Sequence, residues 1–386
     1  MSSTLDLSNT PPEVVLHGER LAFARAQLRA HGLDYLVVGP SADLHYLTGI
    51  QNRPSERLTV LLLPQEAPAY IVLPAFEAPS LPPMPPDVQV VPWGESDNPA
   101  RLVASLVAGP TGHPGGAHYT IGASDQLWSV FLLRLQVELP RATFTPGAPV
   151  LSAVRQIKSP AELALLERAG AAADRAFARI VTSPFAGRTE LEVSQELASL
   201  LKAEGVEGEI FAIVGSGSNS ASPHHHAGDR VIQPGDAVVL DFGGPLQGYY
   251  CDITRTVFVG SPPDSNSEME RVYNLVHAAQ EAAVRAARPG MTCEELDSSA
   301  RDLFVEAGYG QYFMHRLGHG IGLDGHEPPY LVQGNPTRLE PGMSFSIEPG
   351  IYLPGKFGVR IEDIVYLTPQ GAVRCNHAPR DLTVVS

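Results

Sequence analysis

PGDAVVLDFGG (234–244) and PGMSFSIEPG (341–350) are two versions of one turn-and-strand unit, and that duplication sets the architecture of the larger part of the chain. In each, a Pro-Gly pair leads through an apolar run to an acid seven residues after the proline, Asp241 or Glu348, and to a glycine nine residues after it, Gly243 or Gly350. The match continues upstream. GRTELEVSQELASLLKAEG (187–205) pairs with GMTCEELDSSARDLFVEAG (290–308), and both open on a threonine followed three positions later by a glutamate, Thr189/Glu192 and Thr292/Glu295. That spacing lets the two side chains cap a helix start reciprocally. Each segment then carries an apolar helical stripe, Val193, Leu197, Leu200 and Leu201 in the first and Leu296, Ala300, Leu303 and Phe304 in the second. Pro-Gly before a strand is common turn chemistry, but agreement in cap, stripe, turn, strand and acid together is not produced by chance. A helix followed by strands occurs twice, which predicts two halves about an approximate twofold with the equivalent acids facing each other.

Two further acids share this setting. Asp252 lies in CDITRTVFVG (251–260) and Glu362 in VRIEDIVYL (359–367), and each of the four acids follows or begins a β-like apolar run. Any one of them alone reads equally well as a salt-bridge partner or a strand-end cap. Together they are unpaired carboxylates in apolar surroundings, which are costly unless something cationic compensates them. His319, in HRLGHGIGLDGHE (315–327), completes a set of metal-binding type: Asp241, Asp252, His319, Glu348 and Glu362. Oxygen donors with one nitrogen suit borderline-hard divalent ions such as manganese, cobalt, iron or zinc, and two such ions are charge-matched by four carboxylates and a bound hydroxide.

The neighbouring residues extend the chemistry. A paired-ion site depresses the pKa of a bridging water and clamps the oxyanion formed on attack. Glu348 can shuttle the proton from that water to the leaving nitrogen. His224, in PHHHAGDR (223–230), and His326 hold loosely corresponding places before the two acid strands, so each half offers one imidazole to the oxyanion and the leaving amide. His225 and His226 read as a solvated loop cluster. Arg360 lies two residues before Glu362, on the same face if both belong to one strand; it either orients a ligand carboxylate or makes an ordinary salt bridge. GHGIG (318–322) lacks the full glycine pattern of a nucleotide loop, so no nucleotide is expected.

At 386 residues, two domains are the natural expectation. The first part alternates apolar runs at 33–39, 58–64, 69–74 and 88–93 with a helix over roughly 13–31, an α/β pattern. A Pro/Gly-rich loop covers 108–118, and TPGAPV (145–150) is a second break. Beyond it, Ser159-Pro160 starts a long helix. The boundary is placed near 150, giving domains 1–150 and 151–386. Lys plus Arg is 27 against 42 Asp plus Glu, and a formal charge of -15 repels phosphate backbones, so no nucleic-acid partner is expected. No run of about 18 apolar residues exists to cross a membrane and the start lacks a signal-peptide stretch, so a cytoplasmic protein without a membrane partner is expected. Three scattered cysteines without a Cys-x-x-Cys pair read as packing residues.

RQIKSPAELALL (155–166), PHHHAGDR, VVLDFGGPLQGYYCDITRTVFVG (238–260), GHGIGLDGHE, SIEPGIYLPG (346–355) and VRIEDIV resemble, block by block, the pita-bread metallopeptidases: methionine aminopeptidases, prolidases and aminopeptidase P. The resemblance implies an α+β pita-bread catalytic domain with a pseudo-twofold internal repeat, preceded by a smaller α/β creatinase-like N-terminal domain. It implies that Asp241 chelates one ion, His319 and Glu348 bind the other, and Asp252 and Glu362 bridge them. It assigns His224 and His326 as catalytic imidazoles, His315 and Tyr352 as pocket lining, and Arg360 as support for the ligands. Two divalent ions, manganese foremost with cobalt or zinc as alternatives, and a homodimer are implied as well. The N-terminal domain, including ADLHYLTGI (42–50), is similar to that of prolidases and aminopeptidase P and absent from methionine aminopeptidases, which leaves cleavage of Xaa-Pro bonds by a bridging hydroxide.

A dipeptidase must grip the free carboxylate beside the proline ring, and the family supplies an arginine between the second catalytic histidine and the following glutamate. Here EPPYLVQGNPTRL (327–339) offers only Arg338, near the next strand, and the clamp places hold Tyr330 and Gly334. The sequence therefore favours an Xaa-Pro aminopeptidase acting on peptides with proline second, with an Xaa-Pro dipeptidase (prolidase) as the alternative. A scaffold protein that kept the fold without the chemistry would be expected to have lost ligands, and this chain has lost none. A related hydrolase acting on another amide or ester is the third reading.

Overall fold

The computed structural model describes residues 12–66, 68–108 and 118–386, so most of the predicted 108–118 loop lies outside the described residues. The chain divides into two compact units, residues 1–155 and 156–386. In the first, the elements run α1 (Pro12–Ala30), β1 (Tyr35–Val38), α2 (Ala42–Thr48), β2 (Val60–Pro64), β3 (Ala69–Pro74) and β4 (Val88–Trp93). They continue with α3 (Pro99–Ala108), β5 (Tyr119–Ala123), α4 (Ser129–Glu138), β6 (Ala142–Pro146) and α5 (Ala148–Arg155). One mixed sheet, in the order β4-β3-β2-β1-β5-β6, carries the unit. The four apolar runs are its strands β1 to β4, as periodicity predicts. The stretch 145–150 is not a break but the junction of β6 and α5, and α5 belongs to the first unit.

The second unit opens with α6 (Pro160–Ile180), which starts at Ser159-Pro160 as its sequence predicts and is capped by Ser159 and Glu162, and α7 (Glu190–Ala203), capped by the predicted Thr189 and Glu192. Strands β7 (Phe211–Ser216), β8 (Ala237–Leu246) and β9 (Tyr249–Val259) follow. The second copy supplies α8 (Glu268–Ala286), α9 (Cys293–Glu306), β10 (Gly318–Gly320), β11 (Glu327–Leu331) and β12 (Ser344–Ile347). The chain ends through β13 (Gly350–Leu353), β14 (Phe357–Arg360), β15 (Asp363–Thr368), β16 (Gly371–Arg374) and β17 (Thr383–Val385). Two sheets result, β17-β9-β8-β7 and β11-β10-β12-β15-β16, with β13-β14 as a separate hairpin.

Each sheet buries one face under its own helix pair. Val238, Leu240 and Phe242 of β8 pack with Ala169, Ala173, Val193 and Leu197 of α6 and α7. Phe345 and Ile347 of β12 pack with Val276, Ala279, Leu296 and Ala300 of α8 and α9. Because strand side chains alternate, Asp241 between Leu240 and Phe242 must face away from the helices, and Glu348 lies in step with Ser346 rather than with Phe345 and Ile347. The duplicated turns agree as well: Gly235 and Gly342 hold φ of +93° and +90°, a conformation only glycine adopts without strain. The two-copy reading of the sequence is thus realised as two helix-backed sheets whose other faces carry the acids.

Candidate metal centre

The five residues of the sequence-derived cage come together. Asp241, Asp252 and Glu362 offer oxygens within 4.8 Å of one another, and His319, Glu348 and Glu362 form a second such group. Glu362 belongs to both. Asp252 likewise belongs to two, since it also groups with His319 and His326. Strand register explains the first group, because Asp241 pairs with Thr254 and Gly243 with Asp252 on adjacent antiparallel β8 and β9. An isolated bridge between Thr254 and Glu362 brings the second half to the same point. Gly318 and Gly320 flank His319, where a Cβ would meet the Ser346 carbonyl oxygen at 2.0 Å or that of Pro328 at 2.4 Å, so only glycine lets β10 sit this close to its neighbours.

The donor set fits divalent cations on three observations. Asp252 Oδ1 and Glu362 Oε1 are buried with no hydrogen-bond partner among the described residues, a costly state for carboxylate oxygens unless an ion occupies the gap. His319 Nδ1 donates to the Gly320 carbonyl at 3.0 Å, which leaves the Nε2 lone pair facing Glu348 Oε1 at 3.4 Å and Asp252 Oδ2 at 3.8 Å. A lone pair among carboxylate oxygens is repulsive until a cation sits between them. Burial holds the His319 pKa down to about 3, with the nearby His326 adding to the effect, so the imidazole is not itself the compensating charge.

Burial, then the Glu362 charge, raises the Asp252 carboxyl well above the usual range; burial, then the Glu348 charge, does the same for Glu362. Burial pushes Glu348 up to about 7, against the pull of Arg360. These shifts set a pH dependence for the metal-free protein. A carboxyl raised in the folded state keeps a proton that the unfolded chain has released, so stability falls as pH rises from the unfolded pKa through the folded one. For Glu348 that window runs from 4.5 to about 7. His319 and His315, both lowered from 6.5 to about 3, act oppositely, but only below 6.5. The chelated protein is therefore expected to melt at a lower temperature at about pH 8 than at pH 6.5, and added divalent metal is expected to remove the drop. Thermal melts with and without chelator check this; a chelated protein that melts no lower at the higher pH contradicts it.

Around the acids lies a layer of fixed donors. Arg360 pairs with Asp241, and its Nε and Nη1 donate to Thr254 Oγ1 and to the Tyr352 hydroxyl, each at 2.9 Å. Thr254 Oγ1 donates in turn to Glu362 Oε2 at 2.6 Å. Ser346 Oγ lies 3.1 Å from Glu348 Oε1 and accepts from the His319 amide. Arg360 therefore serves Asp241 directly and Glu362 through Thr254. The single-strand picture of Arg360 and Glu362 does not hold, since β14 ends at Arg360 and β15 begins at Asp363.

The centre forms one wall of a cavity of about 650 Å³ lined also by Phe211, Ile213, His224, Tyr250, His315 and His326. His326 stacks on His319 with ring centroids 3.7 Å apart. Tyr352 is fully buried and does not line the cavity; it stands behind the wall, 2.9 Å from His315 Nε2. His225 also departs from expectation. Rather than being solvated, its Nε2 lies 2.7 Å from Glu190, a fully buried carboxylate that accepts from Ser216 and Asn219 and so pins the loop carrying His224. His226 is exposed. Thr254 and Ser346 add to the residues read from sequence; each lies two residues from a cage acid, Asp252 or Glu348, on its own strand run, and alternation marks them. Glu190 had no such signal, because its partners are 26 to 38 residues away.

Comparison with known proteins agrees with this geometry. Residues 164–369 match the model of metallopeptidase family M24, and residues 20–157 match the creatinase/prolidase N-terminal domain. The chain is 42% identical over 374 residues to a probable dipeptidase PepE of Mycobacterium tuberculosis, covering 96% of this chain and 97% of that protein. It is 38% identical over 355 residues to an Xaa-Pro dipeptidase of Lactobacillus helveticus, covering 91% and 95%. The crystal structure of dipeptidase PepE from Mycobacterium ulcerans superposes with a TM-score of 0.88 at 41% identity, covering 97% of this chain and 99% of that one. With a creatinase-like N-terminal domain, a pita-bread catalytic domain and a cage for divalent metal, the chain belongs to metallopeptidase family M24.

Proposed function

We propose that this protein is a metal-dependent exopeptidase that hydrolyses Xaa-Pro dipeptides. The observation that carries the hydrolytic reading is the pair of orphaned carboxylate oxygens, on Asp252 and Glu362, inside a cage of five convergent ligands. Two divalent cations bound there would supply an acidified water and a clamp for the oxyanion. Asp241 would hold one, His319 and Glu348 the other, with Asp252 and Glu362 between them. Glu348, beside that water, is the carboxylate that would take its proton and return it to the leaving nitrogen. His224 and His326, both on the cavity wall, are the donors available to the developing oxyanion and the leaving nitrogen.

The choice of dipeptides corrects the lean of the sequence toward an aminopeptidase. That lean rested on Tyr330 and Gly334 standing where a carboxylate clamp was sought. Relatives alike over nine-tenths or more of both chains are named as dipeptidases, which supports the dipeptide reading instead. Manganese as the resident ion and a homodimer are inferred from the family resemblance. A cytoplasmic location is supported by three free, buried cysteines, a usage suited to a reducing compartment. No helix among the described residues is long and apolar enough to cross a membrane.

The test is to chelate the protein, add manganese, and assay an Xaa-Pro dipeptide beside the tripeptide that extends it by one residue. The dipeptide is expected to be turned over at the higher kcat/KM. Turnover of the tripeptide alone would return the reading to an aminopeptidase.

A further inference from the structure

We propose that Arg316 binds the free α-carboxylate of the dipeptide substrate, supplying from the segment just before β10 the cation that positions 330 and 334 lack. The inference rests on the dipeptidase reading above and names the residue that would enforce it. In a dipeptide the carboxylate carbon lies two bonds from the scissile nitrogen, about 2.5 Å away, so the cation that holds it must stand beside the catalytic centre. In any longer peptide the same carbon is a neutral amide.

Among the described residues that line the cavity, the cationic side chains are Arg316 and Arg360. Arg360 is 4% exposed and wholly committed to Asp241, Thr254 and Tyr352. Arg316 is half-buried, and among the described residues it has no carboxylate partner. Its Nη2 meets His326 Nδ1 at 3.3 Å, and its guanidinium lies over the Tyr330 ring, 4.3 Å from the centroid. Stacking occupies the face of a guanidinium and leaves the edge donors not turned to His326 available for a planar, two-pronged carboxylate. Tyr330 is thus the platform for the clamp, whereas its position alone suggested that the clamp was missing. The placement also suits the short reach required, because His326 itself stacks on the ligand His319. Arg338, the other arginine considered, is turned away: it donates to the Gly290 carbonyl at 2.6 Å and does not line the cavity.

The experiment compares wild type, Arg316→Met and Arg316→Lys, each loaded with manganese, on alanyl-proline and on its carboxamide, which differ only in the charge of that one group. Wild type is expected to prefer the acid. In Arg316→Met the acid-to-amide ratio of kcat/KM is expected to fall by about 100-fold, mostly through KM, as follows from losing a charge-assisted, two-pronged contact. Arg316→Lys is expected to restore part of the ratio. Calorimetric binding of L-proline against L-prolinamide is expected to lose its preference in parallel, and this readout does not depend on turnover. An unchanged ratio in Arg316→Met, or equal losses on acid and amide, would overturn the assignment and leave Arg316 acting only through His326. A wild type that prefers the amide would instead overturn the dipeptidase reading, and this inference with it.

Discussion

Asp252→Asn and Glu362→Gln are each expected to lower kcat/KM for an Xaa-Pro substrate by at least about 10³-fold, the loss of several kcal/mol of barrier lowering. Each substitution preserves shape and removes one negative charge. Among the described residues, Asp252 and Glu362 are the two acids that belong to more than one potential ion group, and each holds a buried oxygen with no hydrogen-bond partner. Neutralising either one therefore weakens both ion positions at once, whereas loss of Asp241 or Glu348 would weaken one. Steady-state kinetics on metal-reconstituted protein check the prediction, and full activity in either variant contradicts it.

Arg360→Met is expected to cost the metal-free protein about 3–5 kcal/mol of unfolding free energy, the range for removing one partner of a buried ion pair. Methionine keeps the length of the stem and deletes every donor. Asp241 loses its guanidinium, the Tyr352 hydroxyl loses a donor, and Thr254 loses the hydrogen bond that orients it toward Glu362. Bound cations would take over the neutralisation of those carboxylates, so the deficit is expected to shrink when metal is present. Urea unfolding in chelator and in excess manganese measures both values. Equal stability of variant and wild type in chelator would contradict the role given to Arg360.

The duplication made most of the second unit legible. Paired capping boxes, paired Pro-Gly turns and acids at equal offsets specify local structure strongly, because each depends on residues within a few positions of one another. The five residues of the proposed cage were legible for the same reason: each is fixed by the strand run it ends or begins. The supporting contacts were less so. Glu190 is tied to His225 across 35 residues and Arg360 to Asp241 across 119, and only the folded chain brings such partners together. Tyr352 was placed on the cavity wall by analogy of position, but the β13-β14 hairpin turns its side chain inward beneath His315. The substrate end was the least legible part. At position 330 the chain has a ring and not a cation, while the arginine that lies over that ring precedes it by fourteen residues in the block that carries His319.

Metal content of the protein, measured by mass spectrometry after reconstitution and titrated against activity, is the most direct test of the whole account. Two divalent ions per chain are predicted, falling below two in Asp252→Asn and in Glu362→Gln together with activity. Full activity at less than one ion per chain, or two ions retained undiminished in both variants, would contradict a centre built from these carboxylates.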